Sequence, residues 1–154
     1  MPEATLDFCL PDEAAVAALA ARFAPAMSAG FIHLHGDLGA GKTTFARALL
    51  RAMGVGERIK SPTYSLIESY RLPQLAIHHL DLYRIADPGE LEWLGLEELS
   101  QEPSLMLVEW PERGGAALPK PDLVLHFAYA EPGRTLQAQA CSKTGENWLR
   151  ALAG

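Results

Sequence analysis

Lys42 and Thr43 close the run GDLGAGKTT, residues 36–44, and a lysine and a hydroxyl placed directly behind glycines can grip a nucleotide phosphate and its metal ion. Gly36, Gly41, Lys42 and Thr43 complete the pattern G-x-x-x-x-G-K-[ST], and Gly39 adds another permissive backbone position. In such a loop the backbone N–H groups of Asp37, Leu38, Gly39, Ala40, Gly41, Lys42, Thr43 and Thr44 are expected to converge on phosphate oxygens. Lys42 would reach the β and γ phosphates, and the Thr43 hydroxyl would ligate Mg²⁺.

A magnesium ion held this way needs an acidic residue at the end of a neighbouring strand, directly or through water. Two carboxylates end apolar runs: Asp81 in LAIHHLD and Glu109 in LMLVEW. Either could hold the metal or activate water. The ordinary alternatives are a solvated strand end for Glu109 and an ion pair between Asp81 and Arg84. Thr63, in KSPTYS, offers a further hydroxyl where nucleotide switches often sense the γ phosphate, and Pro62 keeps Ser61 extended. A plain turn into a strand is the alternative there.

The base is read by exclusion. Guanine readers carry an aspartate after N/T-K-x, whereas SKTG has Gly145 at that place. Adenine is favoured, so the expected ligands are ATP and Mg²⁺. His33, His35, His78 and His79 sit on strand-like runs, where packing is expected before ligation. Trp93 and Trp148 are expected to pack as well, and Trp110 falls beside Glu109 at the expected nucleotide edge.

Those residues need a scaffold. GFIHLH before the loop has the form of a buried parallel strand, and Phe45, Ala48, Leu49, Ala52 and Met53 after it mark one face of a helix stopped by Gly54. Val16, Leu19, Ala20 and Phe23 predict an earlier helix entered near Asp12 and disturbed at Pro25, with the strand LDFCL before it. TYSLIESY and LAIHHLDLY predict a hairpin, DPGELEWLGLEELS one or two short helices, and SLMLVEW a strand. DLVLHFAYA and RTLQAQACS predict a second hairpin, and GENWLRALAG a terminal helix. Strands mixed with helices around a strand, loop and helix unit predict an α/β three-layer sandwich with a mixed, partly parallel sheet, the loop lying at the carboxyl end of a central strand.

Composition narrows the function. The 154 residues are 49% hydrophobic, enough for one compact domain spanning the chain. Thirteen basic and nineteen acidic residues give a net charge of −6, which argues against tight direct binding of RNA or DNA. No run approaches the length of a membrane span and the N-terminus lacks the charge pattern of a signal, so a cytoplasmic location is expected. Cys9 and Cys141 are expected to be buried reduced thiols.

Taken in order, GDLGAGKTTF, KSPTYSL, HLDLYRIADPGELEWLGLEE and LVEWPERG resemble the TsaE (YjeE) family, across residues 10–134. The resemblance implies an ATPase needed to form threonylcarbamoyladenosine beside the anticodon of tRNA. It implies action through the TsaD-TsaB complex, which performs the transfer and which such a protein would reset between turnovers. Carried over by position, Thr43 and Glu109 would hold Mg²⁺, Asp81 would support hydrolysis, Thr63 would lie in a switch-like loop, and Arg134 in PGRT would lie near the nucleotide. The residues alone leave two rivals: a small-molecule kinase, and a nucleotide-gated binding module without significant turnover.

Overall fold

The computed structural model describes residues 4–56, 59–62 and 65–153, without the side chain of Trp93. The expectations for Thr63 and for the packing of Trp93 lie outside the described residues. Seven strands form one sheet: β1 (Thr5–Leu10), β2 (Gly30–His35), β3 (Ile67–Leu72), β4 (Leu75–Asp81), β5 (Ser104–Glu109), β6 (Leu123–Ala130) and β7 (Gly133–Ala140). Their spatial order is β1-β7-β6-β2-β5-β4-β3. Strand β2 is central and runs parallel to β5 and β6, and β5 runs parallel to β4. The pairs β3–β4, β6–β7 and β1–β7 are antiparallel. The sheet is therefore mixed with a parallel centre.

Side chains alternate between the two faces of a strand, and this alternation sorts the core into two layers. Leu105 and Leu107 of β5, Ile77 of β4, and Ile32 and Leu34 of β2 belong to the larger cluster. That cluster also holds α1 (Glu13–Phe23), α2 (Lys42–Ala52) and α4 (Lys143–Ala153), through Phe23, Phe45, Leu49, Trp148 and their neighbours. Met106 and Val108 of β5 and Leu80 of β4 face the other way, onto Leu91 and Leu96. The second covering layer is thin: a 3₁₀ segment, Pro88–Leu94, and the single-turn helix α3 (Leu96–Leu99).

Local chemistry sets the helix boundaries. Asp12 caps α1 by accepting from the Ala15 N–H at 2.9 Å, and the chain tightens into a 3₁₀ turn over Ala24–Ala26, where Pro25 lies. Asp87 likewise accepts from the Gly89 N–H at 3.0 Å, ahead of Pro88.

The thiols correct one expectation. Cys9 and Cys141 are both exposed, and neither is paired in a disulfide among the described residues. Strand β1 is an edge strand whose Leu6, Phe8 and Leu10 turn inward, which leaves Cys9 on the outer face, while Cys141 lies just past the end of β7. Strand β3 begins at Ile67, later than the apolar pattern suggests. Among the described residues no helix is long and apolar enough to cross a membrane.

Candidate nucleotide site

The chain leaves β2 at His35 and turns through the glycine loop into α2. Gly39 (φ 81°) and Gly41 (φ 112°) take left-handed backbone conformations that side chains resist, and a Cβ on Gly39 would stand 2.6 Å from the Tyr129 hydroxyl. The Ala40 N–H donates to the Asp37 carbonyl at 3.0 Å, closing the turn. The first three N–H groups of α2, on Lys42, Thr43 and Thr44, have no carbonyl partner within the helix by geometry, and the helix dipole adds partial positive charge there. This is a ready anion cradle.

The β6–β7 hairpin holds the loop open from outside. Tyr129 donates its hydroxyl to the Leu38 carbonyl at 2.8 Å, and Arg134 donates from Nη2 to the Gly39 carbonyl at 3.1 Å. The Arg134 guanidinium lies 4.3 Å from the Tyr129 ring centroid, so the two residues stack as one brace. A trans peptide points its N–H opposite to its carbonyl. Tying the Leu38 carbonyl to Tyr129 therefore aims the Gly39 N–H away from the hairpin.

Two carboxylates meet this loop because three parallel strands end level. Leu34 pairs with Glu109 across β2–β5, and Asp81 pairs with Glu109 across β4–β5. Glu109 is 2% exposed. Its Oε1 accepts from the Thr43 hydroxyl at 2.6 Å, and its Oε2 lies 2.6 Å from His79 Nε2. Asp81 is buried, with Oδ1 accepting from the Tyr83 N–H at 3.0 Å. Burial raises its carboxyl pKa above the usual range despite that hydrogen bond, and the nearby Glu109 pushes the same way. Asp81 is also held through its backbone, since its N–H donates to the Leu66 carbonyl at 3.0 Å.

Lys42 is buried, and burial lowers its ammonium pKa while Glu109, Glu112, Asp81 and Asp37 pull it back up. The ammonium donates to the Gly36 carbonyl and lies 3.4 Å from the centroid of the Trp110 ring. Trp110 reaches that position because its backbone is left-handed (φ 57°), ending β5 abruptly; Tyr83 packs on it at 5.0 Å.

A cleft of about 500 Å³ opens over these groups. Leu38, Gly39, Ala40, Gly41, Lys42, Thr43 and Thr44 line it with Asp81, Glu109 and Arg134, so the residues singled out from sequence converge. Pro11, Val16 and Pro132 also line it. Asp37 stands one step back, closing the turn through its carbonyl. Thr63 lies outside the described residues. Two contributors escape sequence reasoning. His79 carries one usable signal, since it lies two residues before Asp81 and so on the same strand face; Tyr129 carries none, being 91 residues from its partner Leu38.

Thr43 and Glu109 offer hard oxygen donors at one point, with the Asp81 carboxyl alongside. That set fits Mg²⁺, which takes one or two protein oxygens and completes its shell with phosphates and water. Among the described residues no cluster of three or more His, Cys, Asp or Glu is arranged as a metal cage of its own.

Comparison with known proteins bears on the family and the fold. The family model for Threonylcarbamoyl adenosine biosynthesis protein TsaE matches residues 10–136. The chain is 37% identical over 150 residues to the tRNA threonylcarbamoyladenosine biosynthesis protein TsaE of Haemophilus influenzae, covering 94% of this chain and 95% of that one. It is 39% identical over 118 residues to the protein of the same name from Synechocystis, covering 73% and 74%. The crystal structure of Bacillus subtilis YdiB has a TM-score of 0.82 at 26% identity, covering 99% of this chain and 97% of that one.

Proposed function

Because the chain belongs to the TsaE family of threonylcarbamoyl adenosine biosynthesis proteins, we propose that it binds and hydrolyses Mg²⁺-ATP and acts through the TsaD-TsaB complex in forming threonylcarbamoyladenosine in tRNA. The observation that carries this reading is the Thr43–Glu109 contact at the mouth of the glycine loop, where a phosphate cradle and an acidic strand end meet.

In this reading the loop and the N-terminus of α2 hold the phosphates. Lys42 leaves the Gly36 carbonyl and the Trp110 ring to reach the β and γ phosphates. Thr43 and Glu109 would hold Mg²⁺, which would supply neutralising charge to the phosphate oxygens. Asp81, its carboxyl pKa raised by burial, orients the attacking water and accepts its proton. Arg134 and Tyr129 keep the loop open for the nucleotide.

The stretch SKTG offers no guanine reader, since none of its residues lines the cleft and Ser142 and Gly145 are held by Asp122. The Ser142 hydroxyl donates to Asp122 Oδ1 at 2.6 Å, and Gly145 packs directly on the Asp122 carbonyl oxygen. The net charge of −6 fits a protein that reaches tRNA through protein partners.

Calorimetric titration with ATP, ADP and GTP in the presence of Mg²⁺, paired with phosphate-release assays, tests the reading. ATP and ADP are expected to bind, GTP to bind more weakly, and ATP to turn over slowly. Absence of adenine-nucleotide binding would overturn it, and phosphorylation of a nucleoside or small acid would replace it with a kinase.

A further inference from the structure

His79 is fully buried on β4, and the roles proposed for Lys42, Thr43, Asp81 and Glu109 leave it without a task. It shares the α2-facing side of the sheet with Asp81 and Glu109, because Ile77, His79 and Asp81 alternate on β4 as Leu105, Leu107 and Glu109 do on β5. Its Nε2 lies 2.6 Å from Glu109 Oε2. The other carboxylate oxygen, Oε1, accepts from Thr43 at the same distance, 2.6 Å. An ionised carboxylate only accepts, so Nε2 carries the hydrogen and donates.

The second ring nitrogen sharpens the point. Among the described residues His79 Nδ1 has no hydrogen-bond partner. An imidazole buried with one nitrogen unsatisfied is a poor core residue, since an apolar side chain of similar volume would avoid that loss. What the site obtains from this ring is the single bond to Glu109.

We infer that His79 is the positioning residue for Glu109. By donating from Nε2 to Oε2 it fixes the plane of the carboxylate, so that Oε1 stays aimed at the Thr43 hydroxyl, and these two oxygens would together hold one cation. A glutamate has three side-chain torsions, and without this bond the carboxylate is free to leave that orientation. Partners behind a metal ligand act in this way, and their loss commonly weakens metal binding about 10–100-fold. The inference rests on the reading of Thr43 and Glu109 as the magnesium ligands.

The test compares His79→Asn with His79→Gln. Both keep an amide in the strand, but only the glutamine amide extends far enough to reach the Oε2 position. ADP affinity is measured by calorimetry in EDTA and again across a Mg²⁺ titration. In wild type, Mg²⁺ is expected to tighten ADP binding. The Asn variant should need about 10–100-fold more Mg²⁺ for the same tightening while its affinity in EDTA is unchanged, and the Gln variant should recover most of the loss. His78→Gln, on the opposite face and bonded to Ser69, should behave as wild type.

An Asn variant that responds to Mg²⁺ as wild type does overturns the inference and spares the functional reading. So does an Asn variant that loses affinity equally in EDTA. A wild type that binds ADP with no response to Mg²⁺ overturns the magnesium site itself. If the Asn variant does not fold, the imidazole ¹⁵N spectrum of wild type decides: the inference requires the His79 proton on Nε2, and a ring protonated only on Nδ1 refutes it.

Discussion

Thr43 donates its hydroxyl to Glu109 at 2.6 Å across 66 residues of chain, joining the start of α2 to the end of β5. Neither residue has another reason to meet the other than the level ending of parallel strands β2 and β5. If this is the magnesium site, Glu109→Gln keeps the shape and removes the charge. It should lower ATP turnover about 10²-fold, with ADP binding in EDTA unchanged, as read by phosphate release and calorimetry. Turnover at the wild-type rate would remove Glu109 from the site.

Lys42 should separate binding from folding. Its ammonium is buried against a backbone carbonyl and an aromatic ring, and burial lowers its pKa, so the apo fold does not depend on its charge. Lys42→Ala is expected to abolish nucleotide binding without lowering the melting temperature of the nucleotide-free protein. Calorimetry and thermal denaturation of the same sample check both halves.

Tyr129 should matter through one hydrogen bond. Removing its hydroxyl in Tyr129→Phe frees the Leu38 carbonyl, a loss of about 1 kcal/mol of loop order, or roughly fivefold in nucleotide affinity. Gly39→Ala should be worse, because its Cβ meets the Tyr129 hydroxyl and its backbone is left-handed. An ADP titration of the two variants gives the order directly.

His33 supplies a pH dependence from the sheet face opposite Leu34. It is 8% exposed; burial, with His35 adding repulsion, lowers its pKa to about 4. The unfolded chain, with a value near 6.5, then binds more protons than the fold between those limits. This contribution to stability is complete above about pH 6.5 and is lost as pH falls towards 4, amounting to on the order of 3 kcal/mol. Urea unfolding at pH 7 and pH 5 should show wild type losing more stability on acidification than His33→Leu.

Much of this was legible in the sequence because it is local. A glycine loop between an apolar run and a helical face needs only neighbours in the chain, and so do the strands that end at Asp81 and Glu109. DPGELEWLGLEELS is legible as one or two short helices and forms two, the 3₁₀ segment Pro88–Leu94 and α3, divided at Gly95. The exposure of Cys9 depends on β1 being an edge strand, which strand order alone reveals. His79 and Tyr129 act through partners 30 and 91 residues away, so their roles follow from register and topology and were hidden in the linear pattern.

The central claim is a magnesium-dependent ATPase that works through partners. Among the described residues the cleft is lined by the cationic side chains of Lys42, Arg84 and Arg134, of which Arg134 is tied to the Gly39 carbonyl; in the proposed account a bound partner would add charge stabilisation of the transition state to what these supply. The direct measurement is phosphate release from Mg²⁺-ATP by the purified chain, alone and with the cognate TsaD-TsaB complex. The account predicts slow release alone and clearly faster release with the complex; equal rates would contradict it.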